Sequence, residues 1–94
     1  METRTLRQLR SVGPATIGDL QLLGVTTVEQ LARRRPADLY TSLCNKTGHR
    51  HDPCAEDVFA AAVAQARDPG LPRVQCDWWY WSRLRKNGLR ATGK

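Results

Sequence analysis

The sequence predicts an all-α fold: a small bundle of about five short helices, followed by an aromatic, basic C-terminal extension. Three observations carry that expectation. From Leu6 to Ala66, apolar residues recur at the spacing of a helix face. Prolines and glycines punctuate the chain as helix signals do, with Pro14, Pro36 and Pro53 at starts and Gly24 and Gly48 at stops. No segment alternates apolar and polar residues convincingly enough to read as a strand.

Leu6, Leu9 and Val12 are interleaved with Arg4, Arg7 and Arg10, which predicts a short first helix with a basic outer face. The turn Ser11-Val12-Gly13-Pro14 follows, and Pro14 is preset for the first position of a second helix. Ile17, Leu20, Leu23 and Val25 continue the apolar stripe, with Gly24 at an expected left-handed C-cap. Gly18 lies inside this helix at a cost of about 1 kcal/mol relative to Ala, which a close helix–helix approach would explain. Thr26 and Glu29 have capping-box spacing for a third helix, with Val28 and Leu31 toward the core and Arg33-Arg34-Arg35 at its end. Pro36 starts a fourth, burying Leu39, Tyr40, Leu43 and Cys44. Asp52 and Pro53 read as N-cap and first position of an alanine-rich fifth helix that carries Val58, Phe59, Ala62, Val63 and Ala66 to about Arg67. Residues 68–72 form a turn-rich linker, residues 73–81 are expected to be extended, and the cluster Trp78-Trp79-Tyr80-Trp81 is expected to dock on the bundle.

A chain of 94 residues is one small domain with little room for a deep cleft. It holds no paired carboxylates, no Ser-His-Asp set and no glycine-rich nucleotide loop, so no enzyme activity and no cofactor are expected. No apolar run approaches the roughly 18–20 residues of a membrane span, and the N-terminus lacks a signal-peptide core. A soluble, cytoplasmic protein with no membrane partner is the expectation. Fifteen Lys and Arg against nine Asp and Glu give a net charge of +6, which favours polyanionic partners, nucleic acid first. Arg83, Arg85, Lys86, Arg90 and Lys94 stand in the last twelve residues with no acid among them, either as a solubilising tail or as part of a nucleic-acid surface.

Helix, glycine turn and proline-opened helix form a specific arrangement. The segment from Leu9 to Leu20 resembles the helix-hairpin-helix DNA-binding motif. The first amides of a helix lack internal partners, and the helix dipole favours an anion there. The resemblance implies phosphate contacts by the main-chain N–H groups of Gly13, Ala15 and Thr16, the Thr16 hydroxyl and a Ser11 hydroxyl. Two departures from the motif's pattern are visible. Ser11 replaces the first glycine of the turn, which requires that it avoid a positive φ. Ala15 stands where Lys is common, so Arg7, Arg10 or Arg33-Arg34-Arg35 must supply the cation.

Further along, Leu39-Tyr40, Leu43-Cys44, Thr47-Gly48, Asp52-Pro53-Cys54 and Trp78-Trp79-Tyr80-Trp81 are similar to the helix-hairpin-helix pathogenicity-locus family, whose members are often labelled mitomycin resistance proteins. That resemblance implies a tandem helix-hairpin-helix domain over residues 1–76, with the aromatic cluster and basic tail over 77–94. The second hairpin, residues 47–52, lacks the glycine pair of a phosphate site.

Cys44, His49, His51 and Cys54 have ligand types suited to zinc, yet their spacing matches no common finger. Core cysteines under a polar loop are the simpler expectation, with no metal. Three cysteines in all point to reduced thiols, and Cys54 near a helix start is expected to have a lowered thiol pKa. The functional expectation is a non-sequence-specific DNA-binding protein in DNA repair or damage resistance. The alternative is a protein-interaction adaptor, with the Trp cluster or a helix face meeting a protein partner or a second copy.

Overall fold

Proline and glycine set most helix boundaries. The computed structural model describes residues 2–88. Its helices are α1 (Pro14–Leu22), α2 (Val28–Ala32), α3 (Pro36–Thr47), α4 (Cys54–Arg67) and α5 (Trp78–Lys86), with single 3-10 turns at Leu6–Gln8 and Arg73–Cys76. No strand occurs among the described residues. Pro14 and Pro36 occupy first helical positions as expected, whereas Pro53 is itself the N-cap residue and α4 begins one residue later at Cys54, correcting the expectation of Asp52 as N-cap. Gly24 (φ 80°) closes α1: Val25 N–H donates to Leu20 O at 2.8 Å and Gly24 N–H to Gln21 O at 3.0 Å. This is the double bond of a Schellman motif, and Val25 packs with Leu20 in the core. Gly48 (φ 74°) ends α3 the same left-handed way.

The alanines of α4 let it run through the middle of the bundle, against α2, α3 and α5. Phe59, Ala62, Val63 and Ala66 meet Leu31, Leu39 and Leu43 in one core that also takes Leu6, Leu9 and Val12. Those last three are buried as expected, but not on an α-helix. Leu9 N–H bonds Leu6 O and Val12 N–H bonds Leu9 O, so successive turns replace helical i→i+4 bonds. A three-residue spacing eclipses side chains in 3-10 geometry, and the apolar pattern alone does not separate the two conformations.

Other expectations are corrected. The capping box of α2 lies one residue later than Thr26 and Glu29. Gln30 N–H donates to Thr27 Oγ1 at 3.1 Å, and Gln30 Oε1 accepts from Thr27 N–H at 3.3 Å. That register places Val28 and Leu31 inside the helix and buried. Gly18 faces open space rather than a neighbouring helix. Residues 73–76 and 78–81 are helical rather than extended, with Asp77 alone extended between them, because Pro72 opens a 3-10 turn and α5 then packs along α4.

Several arginines are spent on helix C-termini, where orphan carbonyls and the dipole favour cations. Arg34 donates to Leu23 O beyond α1, and Arg67 donates to Ala32 O and Arg34 O beyond α2. Arg4 donates to Gln65 O and Ala66 O at the end of α4, while its guanidinium holds the Glu2 carboxyl down to about 2. α5 is tied to α4 by a fork: Arg85 Nε and Nη2 each lie 3.0 Å from an oxygen of the fully buried Asp57.

Candidate nucleic-acid interface

The turn before α1 is built from both ends of the chain. Ser11 has φ 68°, the one non-glycine residue in the left-handed region among those described. The expectation that it avoids a positive φ is therefore corrected: Ser11 takes the glycine-like conformation itself, at a cost of roughly 1–2 kcal/mol. Tertiary hydrogen bonds offset that cost. Buried Gln65 of α4 clamps the preceding peptide groups: Arg10 N–H donates to Gln65 Oε1, and Gln65 Nε2 donates to Arg10 O, both at 2.8 Å. The Ser11 hydroxyl donates to Cys76 O and accepts from Trp78 N–H, each at 3.1 Å.

Beyond this clamp the chain opens outward. Gly13 is extended (φ −99°, ψ −177°) and is the N-cap of α1, with no side chain capping the helix. Pro14 has no N–H. Among the described residues, no acceptor meets the amides of Gly13, Ala15 and Thr16. Gly13, Pro14 and Ala15 are exposed and Thr16 is half-buried. No acidic residue lies in the first turn. A Cβ placed on Gly13 would meet nothing within 4 Å, so neither its backbone conformation nor its protein surroundings require glycine. The result is a concentration of positive partial charge at an accessible helix end, with space for an anion to come close.

The six residues singled out in the sequence thus divide. Gly13, Ala15 and Thr16 share the open helix end, whereas the Ser11 hydroxyl is turned inward onto α5. Arg10 is tethered by Nε to Asp77 Oδ1 at 3.0 Å on a half-exposed side chain. Arg7 is exposed and borders a groove with Thr5, Ile17, Gln21 and Thr26 beside α1. Within the arginine run, Arg34 does not replace the missing Lys at position 15, while Arg33 and Arg35 are exposed. Arg34 binds Leu23 O at the C-terminal end of α1, more than about 10 Å of helix away from Gly13.

The loop between α3 and α4 is chemically opposite. Asp52 Oδ1 accepts Cys54 N–H at 2.8 Å, and Glu56 and Asp57 occupy the first turn of α4. The Cys54 thiol is pushed up, first by its hydrogen bond to Asp52 and then by burial. The lowered value expected from the helix dipole is corrected, because neighbouring carboxylates outweigh a partial charge. In the same loop Cys44 Sγ accepts from His51 N–H, His51 Nε2 lies 2.8 Å from Thr47 Oγ1, and Tyr40 OH donates to His51 O. The His49 and His51 rings sit 4.4 Å apart. No group of three or more His, Cys, Asp or Glu side chains among the described residues is placed to hold a metal ion.

The aromatic cluster is split, with Tyr80 and Trp81 half-buried and Trp78 and Trp79 exposed. Trp81 Nε1 donates to Gln75 O at 2.7 Å, and its ring stands edge-on to Tyr80. Trp78 and Trp79 keep 39% and 41% of their surface exposed, and Arg83 lies over Trp79 at 4.9 Å. Sequence reasoning singled out none of Gln65, Asp57 and Asp77, whose roles rest on partners distant in the chain. Arg90 and Lys94 of the basic tail lie outside the described residues.

A family model described as pathogenicity locus matches residues 1–87. A curated relative, the mitomycin resistance protein McrB of Streptomyces lavendulae, is 35% identical over 88 residues, covering 94% of this chain and 80% of that protein. No solved structure matches. No helix among the described residues is long and apolar enough to cross a membrane. With the match running from the first 3-10 turn to the end of α5, the chain belongs to the pathogenicity locus family.

Proposed function

We propose that this protein binds the phosphate backbone of duplex DNA through the N-terminus of α1, as a helix-hairpin-helix does, without reading bases. The observation that carries the reading is the helix end at Gly13. It has no side-chain cap, no acid in its first turn, and open space where a Cβ would stand. The net charge of +6 adds long-range attraction to a polyanion. We place this binding in DNA repair or damage resistance, a reading to which the relative's name as a mitomycin resistance protein lends support.

One helix end with Arg7 and Arg10 beside it neutralises about two phosphates, so affinity is modest and log K falls with log salt at a slope near −2. Anisotropy titrations with two labelled duplexes of unrelated sequence test this. The expected result is equal affinity for both and about a tenfold loss between 50 and 200 mM salt. Absence of binding, or binding that salt does not change, overturns the reading. The exposed Trp78 and Trp79 favour a second reading, an adaptor that meets a protein, and it predicts no affinity for either duplex.

A further inference from the structure

The exposed tryptophans sit next to the open helix end. Trp78 N–H donates to the Ser11 hydroxyl, and Asp77 holds Arg10. Gly13 lies two positions after Ser11, a reach of no more than about 7 Å. Whatever is held at Gly13 is therefore within a nucleotide or two of the start of α5.

The chemistry of that helix face is specific. Trp78 and Trp79 are consecutive and 39% and 41% exposed, although Trp is normally drawn into a core this small. Arg83 covers part of the Trp79 ring, and Lys86 follows on the same helix. From Trp78 to Gly88 the chain carries no acid. Aromatic rings interleaved with cations suit unpaired nucleic-acid bases, because every base offers a π-face and brings its own phosphate. Area argues against a second copy of the chain. Two tryptophans of about 250 Å² each, some 40% exposed, offer roughly 200 Å², against about 800 Å² per partner in a stable interface. One or two stacked bases cover such a patch.

We infer that Trp78 and Trp79 are a stacking site for unpaired bases, so that the preferred ligand is DNA in which a single-stranded segment adjoins a duplex. The duplex portion rests on the backbone grip proposed for α1, and the stacking supplies what that grip lacks, a preference for one DNA form. The tryptophans themselves report the contact, since stacking quenches their fluorescence.

The test titrates full-length protein with three probes: a blunt duplex, the same duplex with a ten-thymine overhang, and the single strand alone. Wild type is expected to bind the overhang duplex at least about tenfold more tightly than the blunt one, the value of one stacked base, with quenching only when unpaired bases are present. The double variant Trp78→Leu/Trp79→Leu keeps apolar side chains on α5. It should lose the preference and the quenching while still binding the blunt duplex as wild type does. Equal affinity of wild type for blunt and overhang duplexes overturns the stacking inference alone. Failure to bind either duplex overturns the backbone grip as well. Preference that survives in the double variant places the stacking elsewhere and overturns the assignment. So does a concentration-dependent dimer that the variant abolishes with no change in DNA preference.

Discussion

The N-termini of α1 and α4 face the same electrostatic problem and resolve it in opposite ways. Each exposes amides that no helical carbonyl can satisfy. At α4 the protein supplies the acceptor: Asp52 accepts the Cys54 N–H, and Glu56 and Asp57 add negative charge to the first turn. At α1 it supplies nothing, since Gly13 has no side chain, Pro14 adds no donor and no acid follows. α2 has its Thr27 cap, α3 has Asp38 in its first turn, and the first amide of α5 is taken by Ser11. Among the described helices, α1 alone begins with neither an acid nor a side-chain acceptor. A satisfied helix end contributes to stability, and an open one is available to an anion.

That contrast can be broken from either side. The largest effect is expected at the satisfied end. Asp57→Ala removes the carboxylate that holds Arg85 and joins α5 to α4, at a cost of about 3 kcal/mol. Thermal melts should fall by roughly 10–20 °C, and a loss below about 1 kcal/mol would mean that the fork is incidental. Gln65→Leu comes next. It leaves the Arg10 N–H and C=O without their clamp and should cost about 2 kcal/mol by urea titration. Because the clamp positions the turn, the variant should also bind duplex DNA less well while still folded, and unchanged binding would detach the turn from the function. The smallest effect is at Gly18, which faces solvent within α1. Gly18→Ala should stabilise by about 0.5–1 kcal/mol without altering DNA affinity, and destabilisation would reveal a role for that glycine that its surroundings do not show.

Much of this architecture was legible in the sequence because it is decided locally. Pro14, Pro36, Gly24 and Gly48 act through their own backbone preferences, and each marks a boundary where the chain predicts one. The acid-free glycine-proline start of α1 was legible for the same reason. What escaped is decided by partners far along the chain. Ser11 accepts a positive φ because Gln65 and Trp78 hold the turn, from 54 and 67 residues away. Gln65 and Asp57 lie on an alanine-rich helix, where nothing nearby distinguishes a buried clamp from a solvated side chain. Residues 6–12 were misread since three-residue spacing serves stacked turns as well as a helix. The Cys54 thiol was misjudged because the dipole was weighed without Asp52.

The most direct test makes the open end resemble the closed one. Gly13 already has extended, cap-compatible backbone angles with room for a side chain, so Gly13→Asp should accept the free amides of α1 itself. Melting temperature should stay level or rise slightly, since Asp and Gly differ by only a few tenths of a kcal/mol as N-caps. Duplex affinity at 50 mM salt should fall at least about tenfold, because the carboxylate occupies the phosphate position and repels it. A variant that melts like wild type and binds duplex DNA equally well would contradict the account.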